Sequence, residues 1–451
     1  MHFFGWVKAA RLRYSRFVTT LRNFGVVLLA LLYASAGTRS QQPAGPSAPA
    51  ASGLLAGLTA DFNRLAPQTI RPAEGYIHHD YLVPAGYYPQ MWDWDGFFIG
   101  SHWANQDAAN AKYLRDWVLS FASSADADGY VAGCITTKGP RPLFGKFAMK
   151  PFLAQGAVLA AGQLNDYEWI RPVWPAMQRI LEYRKKTQFD AKRNLWFWDN
   201  ALQSGADNNP ALTNDPNDRS AILAVDASVW AMREYQAMAV IARHLGDNAL
   251  ASQYDREAEA TRSAIMKHLW RRDESLFLNR RRDTGAWMPS ITWSSFVPLA
   301  FGMLPQAEGA RMIRLHLLNP AEMRSPYGFR SVSKSDPAYN NAAIINPYSN
   351  WQGPIWINAN YLDWLALRRY GFNTEAKWLA GSVATILRND IAKWGSMHED
   401  YDADTGLGLA PTVVQSPNGK FAGFVGWNML AEDMLQCEDT GSHCMTFTLE
   451  R

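Results

Sequence analysis

Ser220-Ala-Ile-Leu-Ala-Val-Asp-Ala-Ser-Val-Trp-Ala-Met-Arg-Glu-Tyr-Gln-Ala-Met-Ala-Val-Ile-Ala-Arg-His-Leu245 carries apolar residues at i, i+3, i+4 and i+7 along its length. That spacing lines one face of an α-helix. Residues 249–269 repeat the pattern after a short break, and upstream it recurs at 108–122, 151–163 and 167–186. Further apolar helical stretches cover 54–65, 97–106, 291–304, 308–317, 354–370, 374–388 and 425–436. About a dozen helices are therefore predicted. Runs of alternating β-branched residues are scarce, which disfavours a parallel sheet or a barrel of strands.

The predicted helices are joined alternately by short turns and by long loops rich in Trp, Asp, Asn and Gly, at 71–95, 197–218, 324–352 and 397–423. Long loops in a compact domain are usually functional. Helices paired into six hairpins, with the long loops gathered at one end, predict an all-α, (α/α)6 toroid. A superhelical solenoid is the alternative, but the 34-residue self-similarity of a tetratricopeptide array is missing.

The chain has 451 residues, 44 Lys and Arg against 41 Asp and Glu, and a formal net charge of +3. That balance supplies no broad basic field for nucleic acid. The basic excess is concentrated at the start: Lys8, Arg11, Arg13, Arg16 and Arg22, with no acid before residue 37. An apolar run at 24–34 and the small residues Ala34-Ser35-Ala36 follow, so residues 1–36 are expected to be a secretory signal peptide. The apolar run is about 11 residues against the roughly 20 that a bilayer needs, which disfavours a membrane anchor. Without it, 39 basic and 41 acidic residues remain, net −2. Residues 37–52, rich in Pro, Ala, Ser and Gly, are expected to be a disordered tether, and residues 53–451 one catalytic domain. The protein is accordingly expected to be exported, periplasmic or extracellular, with no stable membrane association after cleavage. In an oxidising compartment Cys437 and Cys444 are close enough in sequence to pair, leaving Cys134 as a small buried side chain.

Several motifs fail on inspection. Gly139-Pro-Arg-Pro-Leu-Phe-Gly145-Lys146 is one residue too long for a P-loop and is followed by Phe147. Asp400-Tyr-Asp402-Ala-Asp404 opens like an EF-hand, but Thr405 stands where Gly is needed. No nucleophile elbow or zinc-protease motif occurs, and the nine His are not at metal-ligand spacing. No metal and no cofactor are expected.

What remains are carboxylates set in aromatic loops: Gln90-Met-Trp92-Asp93-Trp94-Asp95-Gly96-Phe-Phe98, Gln203-Ser-Gly205-Ala-Asp207-Asn-Asn209-Pro210, Asn350-Trp351-Gln352-Gly353-Pro-Ile-Trp356 and Met397-His-Glu399-Asp400-Tyr401. Any one Asp here is most often a helix cap or turn residue. In combination, indole faces match the C–H faces of a pyranose, while carboxylates and amides hydrogen-bond its hydroxyls. Glycoside cleavage needs two carboxyls in different environments, one held protonated and one ionised. Asp207 lies in a tight, poorly solvated loop. Glu399 has polar neighbours that would tolerate its charge.

The stretches Arg71-Pro-Ala-Glu-Gly-Tyr76, Tyr81-Leu-Val-Pro-Ala-Gly86, Gln90 to Phe98, Lys150-Pro-Phe-Leu-Ala-Gln155, Ser204-Gly-Ala-Asp-Asn208, Ser331-Val-Ser-Lys-Ser-Asp-Pro-Ala-Tyr-Asn340 and Gly353-Pro-Ile-Trp-Ile-Asn358 resemble glycoside hydrolase family 63, in its mannosylglycerate/glucosylglycerate hydrolase-like branch, which is related to trehalases. The resemblance implies the toroid, an inverting mechanism, Asp207 as general acid and Glu399 as general base. It implies a −1 sugar subsite lined by Trp92, Asp93, Trp94, Asp95, Gln155, Trp351 and Trp356, with Tyr87 and Gln352 among the substrate contacts. Inversion requires carboxyls roughly 6.5–9.5 Å apart. Asn350-Trp351-Gln352-Gly353-Pro354 departs from the Tyr-Trp-Arg-Gly-Pro of many relatives, which bears on substrate preference. A glycerate carboxylate would need a cation; Arg219 is the candidate, with Arg330 and Lys334 behind it. The expected substrate is a small α-linked glucoside or mannoside. A catalytically silent carbohydrate-binding toroid and a polysaccharide lyase are the other readings of the same fold.

Overall fold

The computed structural model describes residues 51–142, 146–213, 221–345, 348–411, 421–444, 447 and 449. The expected leader (1–36), most of the expected tether (37–50) and Arg219 lie outside the described residues. The tether's last two positions belong to the first helix, which starts at Ala51.

Thirteen α-helical segments follow one another among the described residues: α1 (Ala51–Leu65), α2 (Asp93–Gln106), α3 (Ala111–Ser123), α4 (Leu153–Leu164), α5 (Trp174–Gln188), the single turn α6 (Ala201–Ser204), α7 (Val225–His244), α8 (Asn248–His268), the short α9 (Val297–Ala300), α10 (Gln306–Met312), α11 (Ile357–Arg369), α12 (Asn373–Trp394) and α13 (Leu430–Thr440). Setting α6 aside, they alternate between two layers. Helices α2, α4, α7, α9, α11 and α13 each pack on the next, and α13 packs back on α2, closing an inner ring. Burial separates the layers: α11 is buried from Ile357 to Leu367, whereas α8 buries only a stripe that includes Ala251, Tyr254, Ala258 and Ile265. A helix buried on all sides belongs inside and a one-striped helix outside. This is the (α/α)6 toroid.

Inner-to-outer connections are short. The α7–α8 turn is closed by Asp247, whose carboxylate accepts the Leu250 N–H at 2.9 Å, an N-cap. Outer-to-inner connections are long and hold the strands, all of them short and antiparallel among the described residues. The long loops therefore lie at the N-terminal ends of the inner helices.

Two expected boundaries shift for local reasons. The Trp-Asp-Trp-Asp run is not loop. Met91 and Trp92 pair with Ile135 and Cys134, and Asp93 already opens α2; acidic residues favour a helix N-terminus. The helix expected at 291–304 shrinks to a tight turn, Trp293–Phe296, followed by α9. Pro298 sits in its first turn, where its missing N–H costs nothing, and Gly302 ends the segment at φ 66°. Cys437 and Cys444 are bridged, and Cys134 is free and buried.

Most of the tryptophans serve packing. Trp351 and Trp356 are each 1% exposed and stack on one another at 4.0 Å and 8°. Trp351→Ala is expected to cost about 3–5 kcal/mol, whereas Leu407→Ala, at a site 60% exposed, should fall within about 0.5 kcal/mol. Thermal unfolding of both variants checks this; equal melting would remove Trp351 from the core.

Candidate active site

A cavity of about 240 Å³ opens at the N-terminal end of the inner ring. Nearly every outer-to-inner loop contributes to it: Tyr88, Trp92, Asp93, Trp94 and Asp95 ahead of or opening α2, Lys150 before α4, Gln203, Gly205 and Asp207 before α7, Ser349 before α11, and Glu399 and Trp427 before α13. Gly205 allows the approach of its neighbours: at φ 88°, a Cβ there would lie 2.9 Å from Lys150 Cε and 3.2 Å from the Trp94 ring.

Among the described residues, Asp207 is fastened from one side. Its Oδ2 accepts the Ser349 N–H at 2.9 Å. The loop beside it is locked by Asn208, whose Nδ2 donates to Asn350 Oδ1 at 3.1 Å, and whose own carbonyl accepts Gln352 Nε2 at 2.9 Å. Asn350 and Gln352 thus hold the acidic loop in place. Gln352, expected as a substrate contact, spends its amide on Asn208 and Asn340. Asp207 is enclosed by protein but keeps part of its surface open to the cavity. Burial pushes its carboxyl up to about 6, against the opposing pull of the Ser349 N–H and of Lys150.

Glu399 is buried, 5% exposed, and its Oε2 accepts the Tyr88 hydroxyl at 3.1 Å. Burial drives its carboxyl well above the usual range, Asp400 and Asp95 push the same way, and only the Tyr88 hydrogen bond favours the ion among its nearest influences. The polar surroundings expected for Glu399 are not there. His398 Nδ1 turns to Asp390, 2.8 Å away, Tyr401 donates to the same carboxylate at 2.9 Å, and Asp400 accepts the Ala410 N–H at 3.0 Å. The chain neighbours turn to Asp390 and Ala410 and leave Glu399 against the cavity. Asp95 is pushed up to about 7 by burial and by the adjacent Asp93. Asp93 is a clamp: Oδ2 accepts the Lys150 N–H at 2.6 Å, and Lys150 Nζ lies 3.3 Å from Oδ1.

The structure brings together Asp207, Glu399, Trp92, Asp93, Trp94 and Asp95 around one cavity. It does not bring Trp351, Trp356 or Gln155 to its wall. The two indoles form a second layer, with Trp351 edge-on to Trp94 at 6.2 Å. Gln155 is 1% exposed and donates to the carbonyls of Pro151 and Trp230. Tyr87 stands outside, 40% exposed, edge-on to Tyr88 at 5.0 Å. Arg330 and Lys334 pair with Asp404, and neither lines the cavity. Sequence reasoning missed Tyr88, Lys150, Ser349 and Trp427. Lys150 carried a signal, as the first residue of the quoted Lys-Pro-Phe stretch, and Tyr88 a weaker one, between two quoted stretches.

Comparison with known proteins agrees with this architecture. A probable mannosyl-oligosaccharide glucosidase of Schizosaccharomyces pombe is 26% identical over 289 residues, 60% of this chain and 33% of that one. The mannosylglycerate hydrolase of Rubrobacter radiotolerans is 26% identical over 177 residues, 39% and 37% of the two chains. The chain thus spans about a third of the length of these curated relatives. Among solved structures, the family 63 mannosylglycerate hydrolase of Thermus thermophilus in complex with Tris superposes with a TM-score of 0.63 at 18% identity, covering 85% of this chain and 99% of that one. A neutral trehalase of Saccharomyces cerevisiae reaches 0.59 at 14% identity, covering 81% and 74%. These two show a shared toroid fold. Residues 88–418 match the mannosylglycerate hydrolase MGH1-like glycoside hydrolase domain, and on that match the chain belongs to glycoside hydrolase family 63, in its mannosylglycerate hydrolase-like branch.

Proposed function

We propose that this protein is an inverting α-glycosidase acting on a small α-glucoside or α-mannoside, with Asp207 as general acid and Glu399 as the base that activates water. The observation that carries the reading is the pairing of two differently held carboxyls, Glu399 buried and Asp207 partly open, on one aromatic-walled cavity. Asp207, held to about 6, accepts the Ser349 N–H on Oδ2 and, among the described residues, keeps its other oxygen to deliver a proton to the glycosidic oxygen. Glu399 receives the Tyr88 hydroxyl, which favours its ionised form. The leader at 1–36 supports action outside the cytoplasm.

One observation favours the reverse assignment. Burial, with Asp400 and Asp95 pushing the same way, raises the Glu399 carboxyl well above the usual range, a direction that suits a group held protonated. Leaving-group chemistry separates the two readings. An α-glycosyl fluoride needs no protonation to depart. Asp207→Asn is therefore expected to retain most activity on the fluoride while losing about 10²–10⁴-fold on an α-disaccharide. Glu399→Gln should lose both, and the first product, read by NMR, should be the β-anomer. The opposite pattern of variants would exchange the roles, and an α-anomer would exclude inversion.

The pH dependence has a definite sign. A general acid works protonated, so kcat/KM should fall as pH rises through about 6, where Asp207 ionises. A base works ionised, so the acidic limb belongs to Glu399. Tyr88→Phe removes the bond that favours the Glu399 anion and should move that limb to higher pH by about one unit or less; an unmoved limb would detach Tyr88 from the base.

The same shift couples to stability. Asp207 titrates higher folded than unfolded, so the protein loses stability as pH rises from about 4 through about 6. Asp207→Asn removes that loss. It should raise stability by about 1 kcal/mol above pH 6, water in the open cavity tempering the effect, and leave it unchanged near pH 4. Thermal midpoints at the two pH values check this.

A further inference from the structure

Ahead of α2 the chain makes the same turn twice. Glu74-Gly75-Tyr76-Ile77 and, eleven residues later, Ala85-Gly86-Tyr87-Tyr88 each close with an antiparallel bridge between the first and fourth residue. Both glycines sit at φ 57°. A Cβ on Gly75 would lie 2.2 Å from the Thr137 carbonyl oxygen, and one on Gly86 2.0 Å from that of Gly423. Each turn then donates its tyrosine N–H to the carbonyl of that approaching loop, Tyr76 to Thr137 at 2.9 Å and Tyr87 to Gly423 at 3.0 Å. Each leaves its first tyrosine 40% exposed.

The second copy serves the catalytic cavity, since it delivers Tyr88 to Glu399. The first copy borders a separate cavity of about 200 Å³. Its apolar side is Ile77, Leu119 and Ile135. Its polar side is the hydroxyls of Ser120 and Ser123 at the end of α3 and of Ser124, which caps it, with His78 and His79. The Tyr76 hydroxyl lies 3.4 Å from Ser124 Oγ, which orients the ring at the rim. Among the described lining residues there is no Asp, Glu, Lys or Arg. An aromatic ring with an apolar floor, hydroxyls and imidazoles but no fixed charge suits a neutral polyhydroxylated ring: C–H faces meet apolar atoms, while sugar hydroxyls meet the lone pairs of Ser120 and Ser124, whose own protons go to the carbonyls of Asp116 and Ser120 at 2.8 and 2.7 Å, and the Ser123 hydroxyl and imidazoles, which both donate and accept. The two cavities are linked through one strand pair, because Ile135 of the second pairs with Met91, the neighbour of Trp92 in the first.

We propose that the cavity beneath Tyr76 is a second carbohydrate-binding subsite, outside the catalytic cavity, that takes one neutral hexopyranosyl unit of an α-linked oligosaccharide. It rests on the glycosidase reading only for the choice of sugar. The test is affinity electrophoresis of the full chain through gels containing soluble amylopectin or dextran, run beside initial rates on 4-nitrophenyl α-glucoside. The parent protein should be retarded. Tyr76→Ala, and Ser123→Trp, which fills the cavity while keeping Tyr76, should each weaken retardation by about fivefold or more, with rates on the aryl glucoside within about twofold of the parent. Tyr76→Phe should stay close to the parent. A parent protein retarded by neither glucan, or Tyr76→Ala and Ser123→Trp proteins retarded as strongly as the parent, would overturn the proposal. Should Tyr76→Ala fold poorly, Ser123→Trp decides alone. Tyr76-dependent retardation without hydrolysis of any α-glucoside would uphold this subsite and remove the glycosidase reading instead.

Discussion

A helix that is buried on every side must be surrounded, and six such helices surround one another only by closing a ring. Everything else in this protein follows from that closure. The last inner helix, α13, has to meet the first, α2, and polar groups complete the joint. His102 of α2 lies 3.2 Å from Asp433 and 3.9 Å from Glu432, Gln106 donates to Asp433 at 2.7 Å, and Thr59 of α1 donates to Glu432 at 2.6 Å. Burial alone would push His102 down, but the two acids hold it above its usual value. A polar joint so deeply enclosed holds together because its groups are partnered, since a buried polar group without a partner is costly.

Closure also decides where chemistry can be placed. The ring forces the long connections to one end, where the inner helices present their free N–H groups. Aromatic side chains from those connections wall the cavity. The carboxyls caught between them, Asp207 and Glu399, are thereby driven away from their solution behaviour by enclosure first and by neighbouring charges second. Lys150 moderates this at Asp207 and Asp95, while its own position is fixed through Asp93.

Much of this was legible in the amino-acid order, and the part that was not has a physical reason. Helical periodicity survives any arrangement of neighbours, so the long helices α7 and α8 appear in the sequence nearly as they do in space. The location of the site was legible too, because aromatic residues and carboxylates crowd the same loops. Which indole faces a ligand was not. Trp94 and Trp351 sit in equally suggestive motifs, yet one lines the cavity and the other packs behind it, a difference set by contacts across the ring. Glu399 misled for a related reason. His398, Asp400 and Tyr401 flank it in the chain, but the His398 ring and the Tyr401 hydroxyl go to Asp390 and Asp400 Oδ1 goes to the Ala410 N–H, so adjacency in sequence conferred no solvation.

The helix that opens the ring and the one that completes it lie side by side, α1 against α13. The circle therefore has no mechanically privileged starting point. A circular permutant that joined these two helices by a linker and was cut in the α7–α8 turn would place its new ends away from the cavity rim, with every long connection uncut. Exposed turns tolerate such cuts. In this architecture the order in which the chain visits the helices and the order in which the helices hold the cavity are separable properties, and a library of such cuts would map how little the first matters to the second.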